Sequence, residues 1–388
     1  MLKPILIALT ALVICTIIWP ISSVLQATGI EFPLSALKYE SQAIPILEGH
    51  YAMEAYFSHD GSKIIYQGRE GDRSIYPYLD VLVWDFQPWK NPITPPRQLT
   101  DNSKTGKTNA ECTFFSPNDR YIVFAAGRAD SKQSGQVDFG GYPYYYDLTK
   151  EVFIAKSDNV TGTMEQITKN SAYEAETSFS PPILKNPRLP DGIYLLYTSS
   201  RSDSLDLWMQ KILDVSGERR VDGPPIQLTN TPLLQEGGAF FMPDGKRIVY
   251  RAWEFDPANP QKEEMEKDRT NYRPMQIHIL NIETMEDRQL TSGNARNWAP
   301  FPHPSEEMIV FSKRDFSVSP NNFDIFVLDM RDKENLHQIQ ITTFPGFDGY
   351  PAFNPSGNLI MFTRYFPHPR DPSKSLFRLY TIPFEVPQ

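Results

Sequence analysis

The stretch Phe57-Ser58-His59-Asp60-Gly61 decides the fold, because a similar phrase returns five more times along the chain. Each copy opens with a bulky aromatic residue, continues through turn-forming residues, and leads into an apolar strand that ends in Tyr or Phe. The other copies are Phe115-Ser116-Pro117-Asn118-Asp119, Phe179-Ser180-Pro181-Pro182, Phe241-Met242-Pro243-Asp244-Gly245, Phe301-Pro302-His303-Pro304-Ser305 and Phe353-Asn354-Pro355-Ser356-Gly357. The leading aromatic residues are 58, 64, 62, 60 and 52 positions apart. A long repeat filled with short strands predicts a radial array of sheets, here an all-β propeller with six blades.

Each repeat has the residues for four strands. In the first copy, Ala55-Tyr56-Phe57 predicts an inner strand, His59-Asp60-Gly61 a tight turn, and Lys63-Ile64-Ile65-Tyr66 the returning strand. Two further strand signals follow, Leu79-Asp80-Val81-Leu82-Val83-Trp84 and Arg97-Gln98-Leu99-Thr100. Similar signals in the later repeats predict blades at approximately residues 53–101, 109–170, 172–231, 235–293, 296–344 and 348–383.

The sixth repeat lacks a fourth strand, because the chain ends soon after Tyr380-Thr381-Ile382. A closed ring tolerates an unpaired sheet edge poorly. We therefore expect residues 42–47 to supply the missing outer strand, where Pro45 is acceptable because that strand is outermost. This places the propeller at residues 42–388 and a linker at residues 28–41.

The units resemble the TolB-type propeller repeat. Its phrase is aromatic-Ser-Pro-Asp-Gly, then a strand ending in Ser-x-Arg, then Asp-Ile/Leu-Tyr, and finally Arg/Gln-Leu-Thr. Matching stretches include Phe241-Met242-Pro243-Asp244-Gly245, Leu205-Asp206-Leu207-Trp208 and Arg288-Gln289-Leu290-Thr291. The resemblance covers roughly residues 42–383 and implies a TolB-like propeller of six blades. The α/β domain that precedes the propeller in TolB is not expected, because only about forty residues precede the first strand.

The amino terminus carries a long apolar segment within residues 1–27. Lys3 gives one positive charge, and the 22 residues 4–25 carry none. At about 1.5 Å per residue such a segment spans a bilayer as a helix. A cleaved signal peptide that ends at Leu25-Gln26-Ala27 is the alternative. Both interpretations leave Lys3 inside, so we expect the propeller on the periplasmic or extracellular side, anchored through residues 4–25 or secreted.

Composition narrows the class of partner. The net charge of −9 and the pI near 5.3 argue against a nucleic acid, because binding phosphates requires clustered basic charge. Cys15 lies in the apolar amino terminus and Cys112 is the other cysteine, so no disulfide is expected in the propeller. The expected partners are an envelope protein or peptide, or a small carbohydrate.

Motifs for catalysis are absent from the sequence. It contains no Gly-x-Ser-x-Gly, no His-Glu-x-x-His, no phosphate-binding glycine loop and no Cys-x-x-Cys. The six histidines are scattered. These observations favour a binding or scaffold module of the cell envelope with no catalytic residues. The alternative is a propeller lyase or glycoside hydrolase that uses channel carboxylates such as Glu111 and Glu176.

The residues just before each leading aromatic are expected to face the central funnel, a usual place for a propeller to bind a ligand. Glu54 is one of them. The candidate ligand-binding residues are Glu111, Glu174, Glu176, Glu236, Arg251, Trp253, Trp298, Asp348 and Tyr350.

An arginine follows the second strand of every repeat, at positions 69, 128, 201, 251, 314 and 364. Repeated ion pairs that join a blade to itself or to its neighbour are the structural interpretation of this pattern. Converging carboxylates need a compensating arginine or cation. No cofactor is expected, with an axial calcium ion as a further alternative.

Overall fold

A computed structural model describes residues 33–47, 50–69, 79–86, 94–101, 107–128, 136–138, 143–145, 148–182, 184–202, 204–219, 223–254, 274–316, 322–366 and 376–387. The predicted membrane anchor or signal peptide at residues 1–27 lies outside these ranges. Among the residues that the structure describes, no helix is long and apolar enough to cross a bilayer.

The chain enters the ring through a short helix, α1 (Leu34–Glu40), and a short strand, β1 (Ile44–Ile46). The first blade contains β2 (Tyr51–Phe57), β3 (Lys63–Arg69), β4 (Asp80–Asp85) and β5 (Arg97–Gln98). The second contains β6 (Lys107–Phe115), β7 (Tyr121–Arg128), a hairpin of β8 (Gln136–Asp138) and β9 (Pro143–Tyr145), β10 (Glu151–Lys156), α2 (Val160–Thr163) and β11 (Glu165–Gln166). The third contains β12 (Glu174–Phe179), β13 (Leu184–Asn186), β14 (Leu189–Ser199), β15 (Asp206–Leu213) and β16 (Ile226–Gln227).

The remaining blades follow the same order. The fourth contains β17 (Leu234–Phe241), β18 (Arg247–Glu254), β19 (Gln276–Asn281) and β20 (Glu286–Gln289). The fifth contains β21 (Ala295–Pro302), β22 (Met308–Asp315), β23 (Asp324–Asp329) and β24 (His337–Gln340). The sixth contains β25 (Phe347–Phe353), β26 (Leu359–Phe366) and β27 (Leu376–Pro383).

The described strands form six blade sheets, five of four strands and one of five. Each is an antiparallel meander, so the predicted six-bladed propeller is confirmed. The sixth sheet has the order β1-β27-β26-β25. Ile44 pairs with Thr381 and Ile46 with Leu379, and Pro45 lies on the outermost strand, as the sequence leads one to expect. The two ends of the chain thus close the ring.

The expected linker at residues 28–41 contains helix α1, which is attached to the propeller. Glu40 at its end forms an ion pair with Arg364 of β26 at 2.9 Å and accepts a hydrogen bond from the backbone of Thr343. Tyr39 stacks on Phe384 with ring centroids 6.1 Å apart. These contacts join α1 to the fifth and sixth blades.

Two local features differ from the sequence prediction. In the fifth repeat, Pro302 and not Phe301 occupies the place of the leading aromatic, because Pro302 pairs with Ile309 as Phe241 pairs with Ile248. The alignment by aromatic residues was therefore wrong by one residue there. In the third repeat, the turn is replaced by β13, which pairs with an unusually long β14.

Candidate functional site

The inner strand of every blade carries a β-bulge at the same position. The pairing register shifts there in β2, β6, β12, β17, β21 and β25. At each shift one residue has a left-handed backbone, with φ between 46° and 59°. These six residues are Glu54, Cys112, Glu176, Gly238, Ala299 and Tyr350. A bulge redirects a side chain, and left-handed backbone at a residue other than glycine costs about 1–3 kcal/mol. The six bulges bring their residues together at the propeller axis.

Four aromatic rings close the channel next to the bulges. Tyr56, Phe114, Phe240 and Phe301 come from four different blades and form the aromatic plug. Tyr56 contacts the other three rings, with centroid distances of 5.1, 5.4 and 5.8 Å. Such distances fall within the favourable range for aromatic pairs. The plug therefore fills the axis where many propellers have an open channel.

A cavity of about 40 Å³ lies beside the plug and contacts all six bulge residues. Tyr56 and Phe240 of the plug form one wall, and Trp298, Thr177 and Arg251 complete the lining. Trp298 and Tyr350 pack edge to face with centroids 4.5 Å apart. A water molecule needs roughly 10–15 Å³, so this axial cavity has room for about three waters or one small polar group.

Glu176 and Arg251 form a buried ion pair between the third and fourth blades. The Nη2 atom of Arg251 lies 2.5 Å from Oε1 of Glu176, and the side chains are 4% and 9% exposed. Oε2 accepts hydrogen bonds from the Thr198 hydroxyl at 2.7 Å and the Gly238 backbone at 2.8 Å. Burial alone would raise the pKa of Glu176, but Arg251 and these hydrogen bonds outweigh it and lower the pKa. Glu176 is therefore ionised.

Two glycines make room for this pair. A Cβ atom on Gly237 would lie 2.3 Å from Oε2 of Glu176, and one on Gly238 would lie 2.3 Å from Nη1 of Arg251. Gly238 also has a φ of +59°, which glycine adopts without steric cost. The Gly237-Gly238 pair in the fourth repeat is thus explained by the approach of Glu176 and Arg251.

Glu54 is the second carboxyl group in the cavity and has the opposite protonation state. Burial, reinforced by the negative charge of Glu176, raises the pKa of Glu54 to about 8. Its Oε2 accepts a hydrogen bond of 2.5 Å from the Gln67 side chain, and the Cys112 thiol partly offsets the rise in the pKa of Glu54. At neutral pH the cavity therefore contains one neutral and one ionised carboxyl group.

The structure places four of the nine predicted ligand-binding residues in the cavity wall: Glu176, Arg251, Trp298 and Tyr350. In the second blade, the structure places Cys112 at the bulge, one residue after the predicted Glu111. Glu111 instead forms an ion pair with the buried Lys150. Trp253 packs in an apolar cluster with Trp298, where Arg251 lies over its ring at 5.5 Å.

Three other predicted carboxylates have structural contacts outside the cavity wall. Glu174 is fully buried and binds Arg201 of its own blade at 2.8 Å. Asp348 binds Arg364 at 2.7 Å, and burial raises its pKa to about 6. Glu236 accepts a hydrogen bond of 2.6 Å from Thr231, and burial raises its pKa to about 7. The ion pairs of Glu174 and Asp348 are the repeated arginine contacts that the sequence pattern indicates.

The arginine pattern varies from blade to blade. Arg69 stacks on the Tyr51 ring at 3.8 Å, Arg314 lies 5.8 Å from the Phe323 ring, and the side chain of Arg128 lies outside the described part of the chain. Arg251 differs from Arg201 and Arg364 in two respects, because its carboxylate partner belongs to a neighbouring blade and the pair lines the cavity.

Metal binding depends on the donor atoms that lie close together near the axis. Within the described ranges, no group of three or more His, Cys, Asp or Glu side chains lies close enough to hold a metal ion. Calcium takes about six to eight oxygen ligands. The carboxyl groups of the cavity wall are those of Glu54 and Glu176, and the axial calcium ion stays a prediction.

Fold and site together define the class: a six-bladed β-propeller with a plugged axis and a small polar cavity. No protein-family model matches the sequence, and no curated protein matches it either. Among solved structures, the chain is similar to a protein assigned as TolB from Agrobacterium tumefaciens, with a TM-score of 0.46 and 16% identity over 87% of this chain and 91% of that one. It is also similar to TolB from Acinetobacter baumannii, with a TM-score of 0.48 and 15% identity over 84% of this chain and 64% of that one.

A third similar structure is an oligogalacturonate lyase in complex with manganese, with a TM-score of 0.44 and 15% identity over 89% of this chain and 90% of that one. The repeats resemble the TolB-type unit, and the two TolB structures are similar to this chain in fold. Identities this low describe the fold alone.

Proposed function

We propose that this protein is an extracytoplasmic binding or scaffold module of the cell envelope, and that it holds a small polar group of a partner protein or ligand in the axial cavity. The observation that carries the proposal is the convergence of Glu54, Glu176 and Arg251 in the axial cavity. Backbone strain at a functional site is retained only where the surrounding structure over-determines it. Here the bulge recurs in all six blades, and in five of them a residue other than glycine has the left-handed backbone.

A paired replacement tests the binding role. Glu176→Gln together with Arg251→Met removes both charges of the buried pair while keeping the side-chain volumes similar. Replacing both members of a buried ion pair is often close to neutral for stability, whereas removing one costs about 3–5 kcal/mol. We therefore expect the double variant to fold with a melting temperature close to that of the wild type.

Binding is measured by immobilising the full-length protein and exposing it to an envelope extract of the source cells. A partner that the wild type retains and the double variant does not would support the axial site. The exposed pair Arg120 and Glu218 provides the control, because Arg120→Met with Glu218→Gln changes the same kinds of side chain outside the cavity wall. Equal retention by wild type and cavity variant would contradict the proposal.

The proposed location rests on the uncharged residues 4–25. We expect cell fractionation to find the full chain in the membrane, and a chain that lacks residues 1–27 in the soluble pool. A soluble form of reduced mass, made from the full-length gene, would identify the segment as a cleaved signal peptide instead. Recovery of the unshortened chain in the soluble fraction would contradict both interpretations.

A lyase or glycoside hydrolase is the second candidate, because one neutral and one ionised carboxyl group share the cavity. Glu54 and Glu176 would replace the predicted pair of Glu111 and Glu176, since Glu111 contacts Lys150. The cavity of about 40 Å³ is much smaller than the roughly 300–1,000 Å³ of most pockets that bind small-molecule ligands. Loss of polysaccharide cleavage in Glu54→Gln, if the wild type cleaves, would favour this candidate over the binding module.

A further inference from the structure

The charges around the axial cavity are balanced except at Glu54. Glu176 pairs with Arg251, and Glu111 pairs with Lys150. Among the residues that the structure describes, Glu54 has no ion-pair partner within 4 Å. Its carboxyl group is held by the neutral Gln67 side chain and faces the cavity. A single positive charge that entered the cavity would therefore meet one carboxyl group that has no ion-pair partner of its own within the described part of the chain.

The aromatic part of the lining also suits a cation. Tyr56, Phe240, Trp298 and Tyr350 border the same small space. Aromatic faces within about 6 Å attract an ammonium group through their quadrupole, and the attraction increases when water is excluded. An ammonium head is about the size of a water molecule, so it fits a cavity of about 40 Å³.

We propose that the axial cavity binds the primary ammonium group of its ligand, and that Glu54 supplies the negative charge that this group requires. The inference rests on the proposed binding function and specifies its ligand chemistry. As the ammonium group enters, Glu54 releases its proton to solvent and an ion pair forms without any covalent change. A peptide amino terminus and a lysine side chain both carry this group.

At neutral pH, the groups that face Glu54 keep its carboxyl group protonated until a cation enters the cavity. Glu176 on β12 opposes ionisation of Glu54, whereas Arg251 on β18, Lys150 ahead of β10 and the Cys112 thiol on β6 favour it. Burial is the largest influence and keeps the pKa of Glu54 at about 8. Gln67 on β3 donates to Glu54 in either state, and Tyr56 and Tyr350 complete the wall.

Isothermal titration of the full-length protein tests the inference with three probes. N-acetyl-lysinamide presents only a side-chain ammonium group, triglycine amide presents only an α-amino group, and N-acetyl-triglycine amide presents neither. We expect binding of at least one amine and no binding of the acetylated peptide. Comparison of the two amines identifies the source of the ammonium group.

The pH dependence reports the role of Glu54. N-acetyl-lysinamide stays charged between pH 6 and 8, since lysine has a pKa near 10.4. Its affinity should therefore rise about tenfold per pH unit until the pKa of free Glu54 is reached. In Glu54→Gln, which copies the neutral carboxyl group, we expect affinity at pH 8 to fall at least tenfold. The remaining pH dependence should follow only Lys150, because burial lowers the pKa of Lys150 to about 7. Glu236→Gln removes a second buried, raised-pKa carboxyl group outside the cavity wall and should bind as the wild type does.

Failure of both amines to bind, equal binding of the acetylated peptide, or unchanged affinity in Glu54→Gln would overturn the inference. Failure of this inference can be distinguished from failure of the proposed function. If the amines fail while the envelope partner is still lost in Glu176→Gln with Arg251→Met, the cavity binds a ligand of different chemistry. If the partner is retained by that double variant, the axial site itself is wrong.

Discussion

Two features of Glu54 are energetically unfavourable and uncommon in proteins. The glutamate is buried, and its backbone has a φ of 46° in the left-handed region. Its pKa near 8 means that the folded protein keeps a proton that the unfolded chain, with an ordinary pKa of 4.5, releases. The contribution of Glu54 to stability is therefore complete below about pH 4.5 and is lost as the pH rises through 8.

This linkage predicts the behaviour of Glu54→Gln. In the window from about pH 5 to 8, the wild type should lose roughly 1.4 kcal/mol of unfolding free energy per pH unit relative to the variant. The difference should level off above pH 8. Denaturant unfolding at pH 5, 6.5, 8 and 9 measures it, and Glu236→Gln should show a difference that levels off nearer pH 7. Parallel stability profiles for wild type and Glu54→Gln would show that Glu54 is ionised in the folded protein.

Gly238 offers a second test at this scale. Gly238→Ala and Gly293→Ala both place a Cβ on a residue with positive φ, +59° and +93°. The strain should cost about 1–3 kcal/mol in each. Gly293 has open space where the Cβ would lie, whereas at Gly238 the Cβ would meet Arg251 at 2.3 Å. We expect the larger loss in Gly238→Ala by chemical denaturation. Equal losses would mean that Arg251 moves away without cost.

At the scale of the strand, the sequence predicts regular features well and the bulges poorly. Turn residues and alternating apolar residues identified all six blades, because both depend on local chemistry. A bulge at a residue other than glycine leaves no such signal, and of the six bulge positions only Gly238 is a glycine. The funnel residues of the second blade were consequently assigned to Glu111 instead of Cys112. Cys112 lies three residues before Phe115, just as Glu54 lies three residues before Phe57, and this repeated interval would have identified Cys112.

Ring closure depends on the amino-terminal elements. A chain that begins at Tyr51 loses β1 and with it the buried side chains of Ile46 and Leu47. Their burial alone is worth about 3–6 kcal/mol. A chain that begins at Pro33 keeps both α1 and β1. One that begins at Ser41 keeps β1 but loses α1, and with it the Glu40 contacts with Arg364 and Thr343 and the stacking of Tyr39 on Phe384. We expect melting temperatures to fall in the order Pro33, Ser41, Tyr51. Equal values for the Pro33 and Tyr51 chains would refute closure by β1.

At the scale of the whole molecule, the aromatic plug joins blades that lie far apart in sequence. Tyr56 belongs to the first blade and Phe240 to the fourth, which is opposite in a ring of six, and their ring centroids are 5.4 Å apart. Phe240 also contacts Phe301 of the fifth blade at 5.0 Å. A ring in which each sheet otherwise packs against its neighbours thus gains direct contacts across its axis, and these fix one wall of the cavity.

A double-mutant cycle measures this coupling. Tyr56→Leu and Phe240→Leu keep apolar volume at the axis while removing the ring contact, so the two changes together should cost less than the sum of their separate costs. Aromatic pairs contribute about 0.5–1.5 kcal/mol beyond area burial, which sets the expected coupling energy. Phe326 provides the matched control, since it is also half-buried but packs against Phe311 away from the axis. Tyr56→Leu with Phe326→Leu should be additive within about 0.5 kcal/mol. Additivity in both cycles, measured by denaturant unfolding, would show that the plug rings fill space without holding opposite blades together.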